Sequence, residues 1–75
     1  MLKVTTNNSS YFFDLEKKKY QRFNHTNSTL KGDGSWLPYL SFSEPKVGQS
    51  LEILWEDQGR LIRRSTSVIT KIQEQ

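Results

Sequence analysis

The side chains of this chain that could do chemistry are few and mostly cationic. Lys17, Lys18, Lys19 and Arg22 make one cluster, and Arg60, Arg63 and Arg64 make a second. Ammonium and guanidinium groups hold phosphates and carboxylates, arginine through two parallel hydrogen bonds. Tyr20, Trp36 and Tyr39 accompany them as rings on which a base could stack. If both clusters lie on one side of the fold, they form a patch for a nucleic-acid strand or a small phosphorylated nucleotide. The plainer alternative is that basic strands alternate with acidic ones, and cross-strand ion pairs keep the protein soluble. Arg63-Arg64 asks for more than that. Adjacent residues of a strand point to opposite faces, so one arginine is directed inward or into an interface.

Catalysis has little to work with. The single histidine, His25, sits in a polar context in a chain without cysteine, and reads as a surface loop or strand position rather than a general base. Ser65 or Ser67 would be a nucleophile beside His25 and an acid, but no Gly-x-Ser-x-Gly elbow frames either. One histidine and no cysteine exclude the usual zinc arrangements. Glu52, Glu56 and Asp57 fit neither a calcium loop nor a spaced carboxylate pair. Gly32-Asp33-Gly34 lacks the Gly-Lys-Ser/Thr ending of a phosphate loop and reads as a tight turn. These residues predict a non-enzymatic binding protein without a metal or cofactor.

Composition sets the scale of the fold. A 75-residue chain has room for one small domain, residues 1–75, and no disulfide can brace it. Only 33% of the residues are apolar, none is alanine and 12% are aromatic, so large rings must supply the core. A net charge of +3 describes a mildly basic protein rather than a polycation. The longest apolar runs, Tyr11-Phe12-Phe13 and Ile53-Leu54-Trp55, are too short for a membrane-spanning helix. The start lacks the apolar core of a secretory signal, so a cytoplasmic location is expected. The Asn-x-Ser/Thr triplets at Asn7, Asn8, Asn24 and Asn27 then read as coincidences of a Ser/Thr/Asn-rich chain.

The elements that position these residues follow a period of two, and no stretch sustains a helical period. Leu2 and Val4 flank Lys3 in an opening strand, and polar residues up to Ser10 turn the chain. Tyr11, Phe13 and Leu15 share one face of a second strand. Glu16-Lys17-Lys18 is a hairpin tip that returns through Lys19. Residues 24–35, rich in Gly, Asn and Ser, are expected to be a flexible loop. Trp36 to Phe42 is broken by Pro38 and closed by Pro45, so it is short, irregular or at an edge. Leu51, Ile53 and Trp55 alternate into a turn at Asp57-Gln58-Gly59, and the strand after Arg60 slips phase near residues 65–67, where a bulge is expected. The sum is five or six strands, a meander or a small SH3-like or OB-like barrel.

Trp55 belongs with the core, whereas Trp36 stands between core lid and partner contact. Phe12, Phe42 and Leu54 exceed what one small barrel needs. They point to a protein partner or self-association, because a large apolar patch seldom stays open to water.

In order along the chain stand Ser9-Ser10 ahead of Asp14, Arg22, Leu30 before Gly32-Asp33-Gly34, Val47-Gly48 with Leu51, and Arg64-Ser65-Thr66 with Val68 and Ile72. This ensemble resembles small proteins of bacteriophages and actinobacterial mobile elements. Ser67 stands where the pattern has proline, and Leu30-Lys31 lacks its arginine. The resemblance implies such an origin and a non-enzymatic role, nothing finer, and assigns no functional residue. A chain this size can block a site but hardly build one, so inhibiting or redirecting a host or defence component is the expected task.

Overall fold

The computed structural model describes residues 1–24 and 34–74. Among the described residues seven strands follow in chain order: β1 (Leu2–Thr6), β2 (Ser9–Asp14), β3 (Lys19–Asn24), β4 (Leu37–Pro38), β5 (Ser41–Phe42), β6 (Ser50–Asp57) and β7 (Arg60–Glu74). They form one antiparallel sheet in the order β4-β3-β2-β1-β7-β6-β5, curled into a half-barrel. The all-β architecture is the expected one. The count exceeds five or six because the proline-broken stretch contributes two separate strands of two residues each. The expected loop at residues 24–35 lies largely outside the described residues, as do His25 and Asp33.

Local side-chain chemistry turns the strands. Between β1 and β2, the buried Thr6 Oγ1 accepts the Ser9 N–H and donates to the Ser9 carbonyl, both at 3.1 Å. Only Asn7 and Asn8 remain in the loop. After β2, Asp14 Oδ1 accepts the backbone N–H groups of Glu16 and Lys17, an Asx turn that ends the strand. Leu15 therefore does not extend the apolar face of β2; it is half exposed in the turn. Between β6 and β7, Gln58 and Gly59 both have positive φ, 50° and 79°. That is the signature of a two-residue turn whose twist matches the flanking strands.

The long strand β7 serves both halves of the sheet. Its first part pairs with β6 and its last part with β1, and the register shifts opposite residues 50–52 and between Thr5 and Thr6. The first shift is the bulge expected near residues 65–67. There Thr66 Oγ1 replaces the missing ladder partner by accepting the Leu51 N–H at 2.9 Å. The two outer edges of the sheet are held by neighbouring residues. The Tyr39 N–H donates to the Lys18 carbonyl at 3.1 Å, and the Leu40 N–H donates to the Leu54 carbonyl at 2.8 Å. The short run through residues 37–42 thus crosses from the β3 side to the β6 side, at the edges where Pro38 is tolerated.

Inside the curl lie Val4, Tyr11, Phe13, Tyr20, Tyr39, Leu51, Ile53 and Ile69, all buried. Phe13 is the centre of a ring cluster, with centroids at 4.5 Å to Phe42, 5.6 Å to Tyr39 and 5.7 Å to Tyr20. Truncating such a residue to alanine costs about 3–5 kcal/mol. Three surface expectations are corrected here. Tyr20 faces Phe13 across the β2–β3 ladder, on the opposite side of its strand from Lys19 and Gln21, so its ring is core rather than a stacking surface. Tyr39 is buried in the same cluster, and Phe42 is partly buried with its ring packed on Phe13, so it is not the open apolar surface expected. Burial, and secondarily the Asp14 carboxylate, raises the Tyr39 phenol above its ordinary pKa of 10.0.

Candidate functional site

Residues 36–38 separate two grooves. The first has a volume of about 230 Å³ and apolar walls from Tyr20, Leu37, Pro38 and Trp55. Glu56, Asp57 and Arg64 supply its charges. Arg64 opposes Ile53 across the β6–β7 ladder, which puts it on the concave side with Trp55. Its guanidinium carbon lies 5.3 Å from the centre of the Trp55 ring, within cation–π range. Arg63, one residue earlier, points to the convex side, where Nε stands 3.7 Å from Glu52 Oε2. Both of those side chains are well exposed, and such a pair contributes little. The arginine expected to turn inward is therefore Arg64.

The second groove, about 240 Å³, is lined by Asp14, Lys17, Lys19 and Trp36. Trp36 is 41% exposed, which places it at the surface rather than as a lid sunk into the core. The two grooves carry opposite balances. Two carboxylates face one guanidinium in the first, and two ammonium groups face one carboxylate in the second. Trp55 is only partly buried and packs on the edge of the core, so it serves both core and groove.

The seven cations do not build one patch. Arg22 lies on the concave side, its Nε donating to the Tyr11 hydroxyl at 3.3 Å. Lys18 takes a positive φ of 52° at the hairpin tip, and Arg60 opposes Asp57 at the start of β7. Lys17 and Lys19 join Trp36, and Arg64 joins Trp55. Nor do Phe12, Phe42 and Leu54 share a surface. Phe42 is partly buried and packs against the core, Leu54 sits between Ser41 and Arg63 on the outside of β6, and Phe12 lies outside β2 against Phe23.

Phe23, Lys3 and Lys71 were not singled out by sequence, although a signal existed. Lys19, Gln21 and Phe23 alternate on one face of β3, and a phenylalanine on a polar face is an anomaly. Among the described residues, no three His, Cys, Asp or Glu side chains gather to hold a metal ion. Ser67 is engaged in the fold, its Oγ accepting the Asn8 N–H at 3.4 Å. Among the described residues no helix is long and apolar enough to cross a membrane. Compared with family models, curated proteins and solved structures, the chain matches none.

Proposed function

We propose that this protein acts by binding, without chemistry, and that it occupies a surface of a protein partner with the face around Trp36. The observation that carries the reading is the pair of oppositely charged grooves lined by consecutive residues, Trp36 in one and Leu37 and Pro38 in the other, with Trp36 41% exposed. Tryptophan and arginine dominate protein interfaces, and neighbouring charges of both signs fix the register of a partner. A chain this small can block a site but hardly build one, so the proposed task is inhibition of a host or defence component by covering it.

Sequestration of a small nucleotide signal is the weaker reading. The Trp55–Arg64 groove falls below the ~300–1,000 Å³ of clefts that enclose drug-sized ligands. A phosphate entering it would also meet Glu56 and Asp57. The test is capture of a partner from lysate of the expressing cells, followed by inhibition of that partner's own activity. Trp36→Ala is expected to weaken both by at least about 30-fold, the scale of an interface hot spot. Leu61→Ala, at a position 71% exposed, serves as the control that leaves both intact. Equal capture and inhibition by wild type and Trp36→Ala would refute the assignment of this face.

A further inference from the structure

The convex side of β3, β2, β1 and the last part of β7 carries a pattern that meets the second groove only at Asp14 and Lys19. Directly opposed residues of antiparallel strands share a face. Register therefore sets Gln21, Phe12, Lys3 and Gln73 in one row across the four strands, and Phe23, Ser10, Thr5 and Lys71 in the next. Phe12 and Phe23 touch edge to face, with centroids 5.7 Å apart at 85°. The Lys3 ammonium lies 5.5 Å from the centre of the Phe12 ring. Phe23 is 43% exposed even though Gly34 backs onto it and accepts the Gln21 side-chain amide at 3.0 Å.

The charges on this face are one-sided. Lys3 and Lys71 lie within it and Lys19 at its end, opposite Asp14. Among the described residues of the face Asp14 is the one carboxylate, and its Oδ1 is occupied by the turn amides of Glu16 and Lys17. Neutral amides and hydroxyls fill the remaining positions. Aromatic rings on adjacent strands, flanked by ammonium groups and neutral hydrogen-bonding side chains, match a ligand with flat faces and a polyanionic backbone. A protein partner of mixed charge would find Asp14 alone as an acidic counterpart here, and a duplex would offer its phosphates but no unstacked base.

We infer that this convex face binds single-stranded nucleic acid, with bases stacked on Phe12 and Phe23 and phosphates held by Lys3, Lys71 and Lys19. The site differs from the arginine-and-tyrosine patch expected from sequence, with which it has Lys19 in common, and it shares Lys19 with the groove around Trp36, whereas Phe12, Phe23, Lys3 and Lys71 lie outside that groove.

The test is fluorescence anisotropy of the whole protein with labelled dT12, rU12 and a 12-base-pair duplex. Single strands are expected to bind and the duplex to bind markedly less. With three lysines on phosphates, the slope of log K against log salt is roughly −2, a loss of roughly fifteenfold between 50 and 200 mM. Phe23→Ala is expected to weaken binding at least about fivefold, the worth of one lost stack. Lys71→Gln, at an exposed position, keeps the test valid if Phe23→Ala disturbs folding, and it should lower the salt slope by about 0.7. Stronger binding of rU12 or of dT12 identifies the natural strand. Duplex binding as tight as single-strand binding, no binding of either strand at 50 mM salt, or affinity unmoved by both substitutions would overturn the inference. So would a dimer of this chain that Phe23→Ala dissociates and that excludes the oligonucleotides.

Discussion

Replacing Thr66 by valine isolates one atom of the bulge. Valine keeps the branched shape, the volume and the preference for a strand, and removes only the hydroxyl. That hydroxyl accepts the N–H of Leu51 at 2.9 Å and donates to the Ser67 carbonyl at 2.7 Å. Leu51 is fully buried and Thr66 only 7% exposed, so water cannot readily replace the lost acceptor. An amide left without a partner in such a place costs about 1–3 kcal/mol. Thr66→Ser supplies the comparison: it keeps the oxygen and loses one methyl group, about 0.8 kcal/mol. At about 2 kcal/mol, the valine variant should melt roughly 8–16 °C below wild type in a domain this small. Urea denaturation should show a lower midpoint at unchanged slope. Hydrogen exchange at the Leu51 amide should accelerate beyond what the global loss accounts for. If Thr66→Val proves as stable as Thr66→Ser, or more so, the hydroxyl is not what sustains the bulge.

Four further outcomes follow from local geometry. Gln58→Asn should stabilise by about 0.5–1 kcal/mol in thermal denaturation, because asparagine accepts the positive φ of this turn more readily than glutamine. Gly59→Ala should destabilise by about 1 kcal/mol although nothing lies within 4 Å of the added carbon, since the cost is in the backbone. For Tyr39 the folded phenol has the higher pKa, so its contribution is intact below pH 10, the ordinary unfolded value. It declines as pH rises through the folded pKa, and stability-against-pH curves of wild type and Tyr39→Phe should diverge only above about pH 10. Arg64→Gln, made with Trp36→Phe so that one indole remains, should shift Trp55 emission to the red and reduce stability by about 0.5–1 kcal/mol, as a lost cation–π contact would.

Most of the fold was readable because its signals are local. Alternation placed β1, β2 and β6, the Gln58-Gly59 pair placed the last turn, and the phase slip in β7 placed the bulge. What alternation could not show is which strands neighbour one another. Residues 36–42 read as a poor strand because their partners, Lys18 and Leu54, lie on opposite edges of the sheet and far apart in sequence. The candidate site suffered from reading charge clusters along the chain rather than by face. Lys19 and Tyr20 are adjacent and point apart, as do Arg63 and Arg64. Phe23 escaped notice for the converse reason: its companion Phe12 is eleven residues away and only the β2–β3 register brings the rings together.

The pairing of β1 with β7 has a consequence for how the protein is made. Val4, fully buried, has Ile72 beside it, so β1 waits for β7, which is made later than the other strands described. Pairings so distant along the chain slow folding, because loop closure precedes the contacts that reward it. The β2–β3 hairpin emerges early with the aromatic rings that later fill the core, and two strands alone are marginal in water. Until Tyr39 and Phe42 arrive, the nascent chain holds those rings without their cover, and until β7 arrives β1 has no second neighbour; that interval is where chaperones or premature association would act on it.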